Sequence, residues 1–294
     1  MKFGILGSLV VTENDEPRTP TAPKQRQLLA LLVLNTNRAV SVAECAEELW
    51  DGNAPASAVA TVHTYVMGLR KCLAGSGKSL APTVNPLLTG HQGYLLSIEP
   101  GSLDLRVFEE LSRNGRSALE NDDEHTAAHA LRDALALWRG PALADVHPGP
   151  VLRARLAGIE ELRLSTLEQR IEADLRLGHH HELLCELATL VQQHPLNENL
   201  HAQFMVALYR SGRPASALAV YQGLHRALKL DLGLEPSSRV RRLQQALLVS
   251  DPALDIVPHA CSRLSLDLIG VAAGYSRQSF AMRHRLPGAH GVLG

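Results

Sequence analysis

The segment Gly75-Ser76-Gly77-Lys78-Ser79 comes nearest to a nucleotide-binding motif in this sequence. A phosphate-binding loop has a further glycine five positions before the glycine that precedes its lysine, and it follows a strand. Cys72 occupies that position here, and the preceding segment has the pattern of a helix. This context argues against a nucleotide site, although a nucleotide-dependent switch survives as an alternative if ATP binds at Lys78.

Histidine and cysteine residues near the middle of the chain raise the question of a metal site: His179, His180, His181, Cys185 and His194. Two of them, His181 and Cys185, are four positions apart and could share one face of a helix, as metal ligands often do. The histidine run, however, follows a glycine in a predicted turn between helices, where exposed polar residues are common. We therefore expect no metal and no other cofactor. Because neither a catalytic Ser/His/Asp order nor a paired-carboxylate motif is evident, we expect no enzyme.

Binding chemistry is better supported in the segment Pro55–Leu73. Its apolar residues recur every three or four positions and predict a helix with one buried face: Val59, Val62, Val66, Leu69 and Leu73. The opposite face is small, polar and basic at its end: Thr61, Thr64, Gly68 and Lys71, with Tyr65 and Arg70 on the flanks. Small side chains allow close approach to a nucleic-acid groove, and a basic pair can meet phosphate. An ordinary amphipathic helix is the alternative.

Length and composition limit the possible classes of protein. A chain of 294 residues can form two domains, and no apolar run is long enough to span a membrane. The N-terminus resembles a strand more than a signal peptide, and four widely spaced cysteines indicate reduced thiols in a cytoplasmic protein. Residues 1–100 contain eight Lys and Arg and eight Asp and Glu. DNA contact must therefore depend on local placement of charge, with modest affinity for a single copy.

Residues 1–98 predict a winged helix-turn-helix. Strand patterns occupy Lys2–Thr12, broken at Gly7, and a turn at Asn14-Asp15 leads to a possible third strand near Arg18. Three helices follow, beginning at Pro23, at Val42 behind a Ser41–Glu44 capping box, and at Pro55. A closing hairpin is predicted from the runs Leu87–Thr89 and Tyr94–Leu96.

Residues 99–252 have the pattern of an all-α domain. Gly178 and Gly212 each end a predicted helix and lie 34 positions apart, and small residues with Tyr221 follow. This spacing is typical of tetratricopeptide hairpins, with a further unit at Asp123–Leu137. Residues 253–294 lack sustained periodicity and are expected to be disordered. The predicted fold class is an α+β N-terminal winged helix-turn-helix followed by an all-α tetratricopeptide-like helical domain.

The order of these motifs resembles a known family. The segments KFGILGSLVV, PKQRQLLALLVL, SVAECAEELW, ASAVATVHTYVMGLRKCL and GYLL are similar to the OmpR-type winged-helix domain that begins the actinobacterial antibiotic regulatory proteins, the SARP family. Later segments, among them LWRGPAL and QQHPLNENLHAQFMVALYRSGRPASALAVYQ, resemble that family's bacterial transcriptional activation domain. The resemblance covers roughly residues 1–252. It implies a transcriptional activator of a secondary-metabolite gene cluster that binds direct repeats in double-stranded DNA as side-by-side copies or a dimer.

The resemblance also implies roles for individual residues. In the helix 55–73, it places four residues against bases and two near phosphates: Thr61, Thr64, Tyr65 and Gly68, then Arg70 and Lys71. The wing would add His91 and Gln92. The loop between the second and third helices would contact the sigma or alpha subunit of RNA polymerase: Asp51, Gly52, Asn53 and Ala54.

Three further residues, Lys24, Gln25 and Arg26, lie at a predicted helix N-terminus, where backbone amides and positive charge can hold a phosphate. Simpler interpretations stay open: Tyr65 as half-buried packing, and Arg70 paired with Glu47 or Glu48. For the whole chain, the alternative function is a tetratricopeptide-type interaction adaptor without sequence-specific DNA binding. The balanced charge of residues 1–100 favours that alternative, as does the lack of Arg, Asn or Gln among the residues assigned to base contact.

Overall fold

The computed structural model describes residues 1–74, 85–91, 93–99 and 101–255. Two expectations from the sequence lie outside these residues: the DNA contact by Gln92 and the nucleotide-site alternative at Lys78. The expected disorder of residues 253–294 lies outside them from residue 256 onward.

Two small antiparallel sheets flank the first three helices. The N-terminal sheet has the order β1-β2-β3, formed by β1 (Lys2–Gly4), β2 (Val10–Glu13) and β3 (Glu16–Pro17). The predicted turn between β2 and β3 has positive φ angles of 50° at Asn14 and 64° at Asp15, which these residue types tolerate. The second sheet has the order β4-β6-β5, formed by β4 (Val40–Ser41), β5 (Leu87–Thr89) and β6 (Gly93–Leu96). The predicted hairpin is therefore confirmed, and it gains a third strand.

The three helices between these sheets are α1 (Pro23–Leu34), α2 (Val42–Trp50) and α3 (Ala58–Leu73). The predicted capping box is confirmed: Ser41 Oγ accepts the Glu44 N–H at 3.1 Å, and Glu44 Oε2 accepts the Ser41 N–H at 2.8 Å. These hydrogen bonds lower the pKa of Glu44. The third helix begins three residues later than predicted, because Pro55 to Ser57 form a turn.

The hydrophobic core of this region surrounds α1, in which every residue from Gln27 to Val33 is buried. Leucines of α1 pack with the inner faces of α2 and α3 and with both sheets. Cys45 of α2 lies in this core, and burial raises the pKa of its thiol to about 12, so the thiol stays protonated and unreactive.

By its contacts the chain divides into two compact units, Met1–Arg170 and Ile171–Gly294. The first unit includes α4 (Asp104–Glu120), α5 (Glu124–Ala136) and most of α6 (Pro150–Arg176). The Asp104 carboxylate accepts the N–H groups of Ile5 at 2.9 Å and Leu6 at 3.1 Å, and the Arg139 N–H donates to the Leu6 carbonyl at 2.7 Å. The predicted division after residue 98 thus differs from the boundary between compact units.

The second unit contains α7 (His180–Gln193), α8 (Glu198–Arg210), α9 (Pro214–Leu232) and α10 (Ser238–Val249). Consecutive helices pack together, and the predicted helix-ending glycines have φ angles of 87° at Gly178 and 74° at Gly212. A short 3-10 turn, Pro252–Leu254, follows. Leu254 is 1 % exposed, and its carbonyl accepts Arg210 Nε at 2.9 Å, so the ordered chain continues two residues into the segment predicted to be disordered.

These elements form the predicted α+β winged helix-turn-helix followed by an all-α tetratricopeptide-like part. Within the described ranges, no helix combines the length and apolar composition needed to cross a membrane.

Candidate nucleic-acid interface

One face of α3 is anchored in the core. The buried residues are Ala58, Val62, Val66, Leu69 and Leu73. The prediction that Val59 belongs to this stripe is wrong, since its side chain is 54 % exposed. Ala58 stands four positions before Val62, one full turn earlier, and takes the buried place that the sequence analysis gave to Val59.

The opposite face of α3 is open, and its exposed residues are Ala60, His63, Thr64, Met67 and Lys71. Met67 is the most prominent of them, with 70 % of its side chain exposed. Of this set, the sequence analysis assigned Thr64 and Lys71 and missed the other three. Positions 60, 64, 67 and 71 lie on one helical face, so their spacing indicates a shared surface, although Ala60 and Met67 are not polar residue types. Thr61 and Gly68 are half-buried at the edge of this face.

The threonine hydroxyls of α3 are bonded within the helix. Thr61 Oγ1 donates to the Ser57 carbonyl at 3.0 Å, and Thr64 Oγ1 donates to the Ala60 carbonyl at 3.0 Å. Each hydroxyl has only one proton to donate, but its oxygen can still accept a hydrogen bond. A base contact by these threonines therefore involves an acceptor oxygen or the methyl group.

Gly68 has a packing role in addition to the base contact predicted for it. A Cβ atom added at Gly68 would lie 2.6 Å from Gln25 Nε2. The glycine thus allows the first turn of α1 to approach α3, and it places the half-buried Gln25 side chain against α3.

Arg70 connects α3 to the strands of the wing. Its Nε donates to the Leu87 carbonyl at 3.0 Å, and its Nη2 donates to Thr89 Oγ1 at 2.6 Å. The Asn85 side-chain amide donates to the Arg70 carbonyl at 2.8 Å. The alternative pairing of Arg70 with Glu47 or Glu48 is absent from the hydrogen bonds that the structure describes. The guanidinium positions the wing, whereas the neighbouring Lys71 is exposed.

The aromatic residues of α3 contact the core or the wing, and the turn of the wing is exposed. Tyr65 is half-buried and packs against the hydrophobic core, in agreement with the simpler interpretation. His91 is exposed at the turn of the wing. His63 meets the ring of Tyr94 edge-on, with 6.3 Å between ring centroids. Gly93 is required where β6 meets β4, because a Cβ atom would lie 1.9 Å from the Val40 carbonyl oxygen.

The cations at the start of α1 have partners inside the protein. Lys24 Nζ donates to the Leu49 carbonyl and, at 3.2 Å, to Gln27 Oε1. Arg26 pairs with Asp145 and donates to the Leu9 carbonyl at 3.1 Å. No side chain caps the α1 N-terminus in the described part of the chain, so its first-turn amides are open to an anion.

The loop predicted to contact polymerase is exposed throughout. Asp51 and Gly52 adopt positive φ angles of 51° and 79°, which turn the chain sharply after α2. The Asp51 carboxylate accepts Arg153 Nη2 at 3.0 Å, an ion pair with both side chains more than half exposed. The loop is thus joined to the first turns of α6.

Directly before this loop, Glu48 is only 1 % exposed. Its carboxylate accepts the N–H groups of Gly149 at 2.5 Å and Leu152 at 2.9 Å, and it also accepts Gln27 Nε2 at 3.0 Å. A carboxylate at a helix N-terminus satisfies amides that have no partner within the helix and complements the helix dipole. A buried side chain of α2 therefore caps α6, a contact that sequence spacing could not predict.

The histidine and cysteine residues considered as metal ligands do not form a site in the described ranges. No group of three or more potential ligands comes together there. Cys185 is exposed, and His179 Nδ1 lies 3.6 Å from Asp174 Oδ1.

Comparison with known proteins identifies the two parts of the chain. Residues 16–87 match the family described as transcriptional regulatory protein, C terminal, and residues 103–248 match the bacterial transcriptional activator domain. The regulatory protein DnrI of Streptomyces peucetius is 43 % identical over 257 residues, which cover 87 % of this chain and 94 % of DnrI. The regulatory protein AfsR of Streptomyces coelicolor is 39 % identical over 86 % of this chain, and the match spans 25 % of that longer protein.

A solved structure has a similar fold. The structure of Mycobacterium tuberculosis EmbR, in complex with a low-affinity phosphopeptide, superimposes with a TM-score of 0.81 and 31 % sequence identity. The match covers 91 % of this chain and 68 % of the EmbR chain. The matched families and relatives are transcriptional regulators rather than enzymes. With both domains matched in order and a relative aligned over nearly its whole length, the chain belongs to the SARP family of transcriptional activators.

Proposed function

We propose that this activator binds double-stranded DNA sequence-specifically by inserting α3 into the major groove. The observation that carries the proposal is the division of α3 into a fully buried face and an open face of small or flexible side chains. A major groove about 12 Å wide admits an α-helix, and short outward side chains allow that helix to lie close to the base edges. Thr64 lies at the centre of that open face, and Lys71 follows two turns later.

Contacts to the DNA backbone would come from elements on either side of α3. The open amides at the start of α1 can hold a phosphate, with the positive charges of Lys24 and Arg26 nearby. His91 at the turn of the wing can reach the adjacent backbone or minor groove. The head groups of Lys24 and Arg26 have intramolecular partners, so these residues would attract the phosphate mainly through the electrostatic field of their charges.

The low charge of the interface supports binding by more than one copy. With few exposed cations near α3, one winged helix gains little from counterion release. Two copies on direct repeats would combine their affinities. We propose this side-by-side arrangement, and with it a cytoplasmic activator of a secondary-metabolite gene cluster.

The loop Asp51–Ala54 would provide the contact with the sigma or alpha subunit of RNA polymerase. It is exposed, it lies next to the recognition helix, and the Asp51–Arg153 ion pair and the Glu48 cap of α6 hold its start. A contact surface whose start is held in place is partly ordered before binding, which reduces the entropy cost of association.

Footprinting on the DNA upstream of its own gene tests the proposal. We expect two protected repeats about one helical turn apart, with sequence preference kept as salt rises. The double variant Thr64→Ala/Lys71→Ala should lose the footprint. Leu230→Ala is a control, because Leu230 is 83 % exposed on α9 and should not affect DNA binding. Equal affinity for promoter and unrelated DNA at every salt concentration would instead support the adaptor function.

A further inference from the structure

The open face of α3 contains few groups that can donate hydrogen bonds to bases, namely His63 and, near the end of the helix, Lys71. Its first three turns present methyl and methylene groups from Ala60, Thr64 and Met67, with Val59 and His63 beside them. The proton of the Thr64 hydroxyl is already donated to the Ala60 carbonyl at 3.0 Å. Side chains of Arg, Asn and Gln, which bind guanine or adenine in a bidentate manner, do not occur on this face.

Met67 is the largest apolar residue on this face. Its side chain is 70 % exposed, and Val59, two turns earlier, is 54 % exposed. Two large apolar side chains held in water on one side of a helix gain free energy when a partner covers them. In the major groove, the 5-methyl group of thymine is the apolar feature that distinguishes one base from the others.

We propose that Met67 is a specificity-determining residue that reads thymine 5-methyl groups. The inference deepens the proposed function and rests on it: the DNA class that this chain prefers has thymines at the positions facing Met67, and Thr64 adds its methyl group. An unbranched thioether adapts its rotamers to a methyl group, so the contact tolerates small changes of helix position. Lys71 adds affinity for phosphate but no preference among bases.

The energetic effect is measurable. Burying one methyl group corresponds to about fourfold in affinity, and two thymines facing α3 would give about fifteenfold. Loss of the thymine methyl groups alone, with every base pair otherwise kept, should therefore weaken binding by about four- to fifteenfold.

Replacing thymine by uracil removes the 5-methyl group from every thymine and leaves the base pairing unchanged. A random duplex library is first enriched on the full chain, and the enriched pool is then amplified with either dTTP or dUTP. Fluorescence anisotropy compares the two pools on the wild type, Met67→Ala and Met67→Leu. We expect the wild type to prefer the thymine pool by about four- to fifteenfold, Met67→Leu to keep most of that preference, and Met67→Ala to lose most of it.

Two controls separate this inference from the proposed function. Lys71→Ala should weaken binding to both pools by the same factor, and Leu230→Ala should change neither. If the library cannot be enriched at all, the proposed DNA binding fails and this inference fails with it. If enrichment succeeds but the wild type binds both pools equally, or Met67→Ala keeps the full preference, only the thymine reading is overturned.

Discussion

Arg70 of α3 donates from Nη2 to Thr89 Oγ1 of the wing strand β5 at 2.6 Å. Together with the bond from its Nε to the Leu87 carbonyl at 3.0 Å, this contact fixes the direction of β5 relative to α3. Arg70 and Lys71 were both predicted to lie near phosphates, but their surroundings differ. Arg70 is hydrogen-bonded to the wing, whereas Lys71 is exposed. The two make separable predictions.

Arg70→Ala should weaken specific DNA binding by about tenfold while leaving its salt dependence unchanged. The loss arises because the wing is no longer positioned, not because a phosphate contact disappears. Arg70→Lys keeps the charge but cannot form the two-pronged contact with Leu87 and Thr89, so it should not restore binding. Fluorescence anisotropy across a salt series measures both quantities. A shallower salt dependence in Arg70→Ala would place the guanidinium on the DNA instead.

Lys71→Ala should show the opposite pattern. An exposed ammonium near a phosphate releases about one counterion on binding. Without it, the plot of log affinity against log salt should become less steep by about one unit of slope for each bound copy. The preference among sequences should stay as in the wild type, because phosphate contacts do not read bases. The same salt series on specific and unrelated duplexes tests this. An unchanged slope would mean that Lys71 lies away from the backbone.

Glu48→Ala should destabilise the first compact unit by about 2–4 kcal/mol, because it leaves the Gly149 and Leu152 amides buried without their acceptor. Glu48→Gln should cost less, about 1–2 kcal/mol, since it keeps one oxygen acceptor but loses the charge at the α6 N-terminus. Urea unfolding followed by circular dichroism provides the values. The neighbouring Glu47 is exposed, and Glu47→Ala should remain within about 0.5 kcal/mol of the wild type.

Local signals in the sequence predicted the elements well. The Ser41–Glu44 spacing located the start of α2, the Asn14-Asp15 pair located a turn, and the alternation around residues 87–96 located the hairpin. Each of these depends on residues close in the chain, where one conformation satisfies the nearby hydrogen bonds. The start of α3 was predicted three residues too early because Pro55 to Ser57 form a turn before the helix begins at Ala58.

The contacts that hold the side chains around the candidate interface in place connect residues far apart in the chain. Arg26 pairs with Asp145, and Glu48 caps a helix that begins about a hundred positions later. Periodicity in the sequence does not carry such information. Lys24 and Arg26, which were predicted to contact a DNA phosphate, therefore have unpredicted partners inside the protein. The open face of α3 was predictable in position but not in composition, because Met67 resembles a core residue in sequence.

His201 should make the stability of the second unit depend on pH. It is 6 % exposed, and burial lowers the pKa of its imidazole. Since the folded protein favours the neutral ring, this contribution is fully present above the unfolded pKa of about 6.5 and is lost as the pH falls below it. His201→Leu should therefore flatten the rise of unfolding free energy with pH below about pH 6.5. Burial of Glu172 raises the pKa of its carboxyl group and acts in the opposite direction, so the comparison must be between variant and wild type.

Chemical denaturation at several pH values provides the test for His201. His147→Asn is the matched control, because this histidine is exposed on the first unit and should leave the pH dependence as it is. An identical pH dependence in His201→Leu and the wild type would show that other groups set it.

Asp51→Ala should separate activation from DNA binding. The side chain lies in the exposed loop beside α3, and its ion pair with Arg153 is too exposed to add more than about 1 kcal/mol of stability. We therefore expect a folded protein with wild-type affinity for DNA but several-fold lower transcript yield in a reconstituted reaction with RNA polymerase. Arg153→Ala removes the same ion pair and leaves the loop carboxylate in place. If both variants lose activation, the ion pair holds the loop in position. If only Asp51→Ala does, the carboxylate itself meets the polymerase. Full activation by both variants, and by Asn53→Ala as well, would mean that this loop is not the polymerase contact.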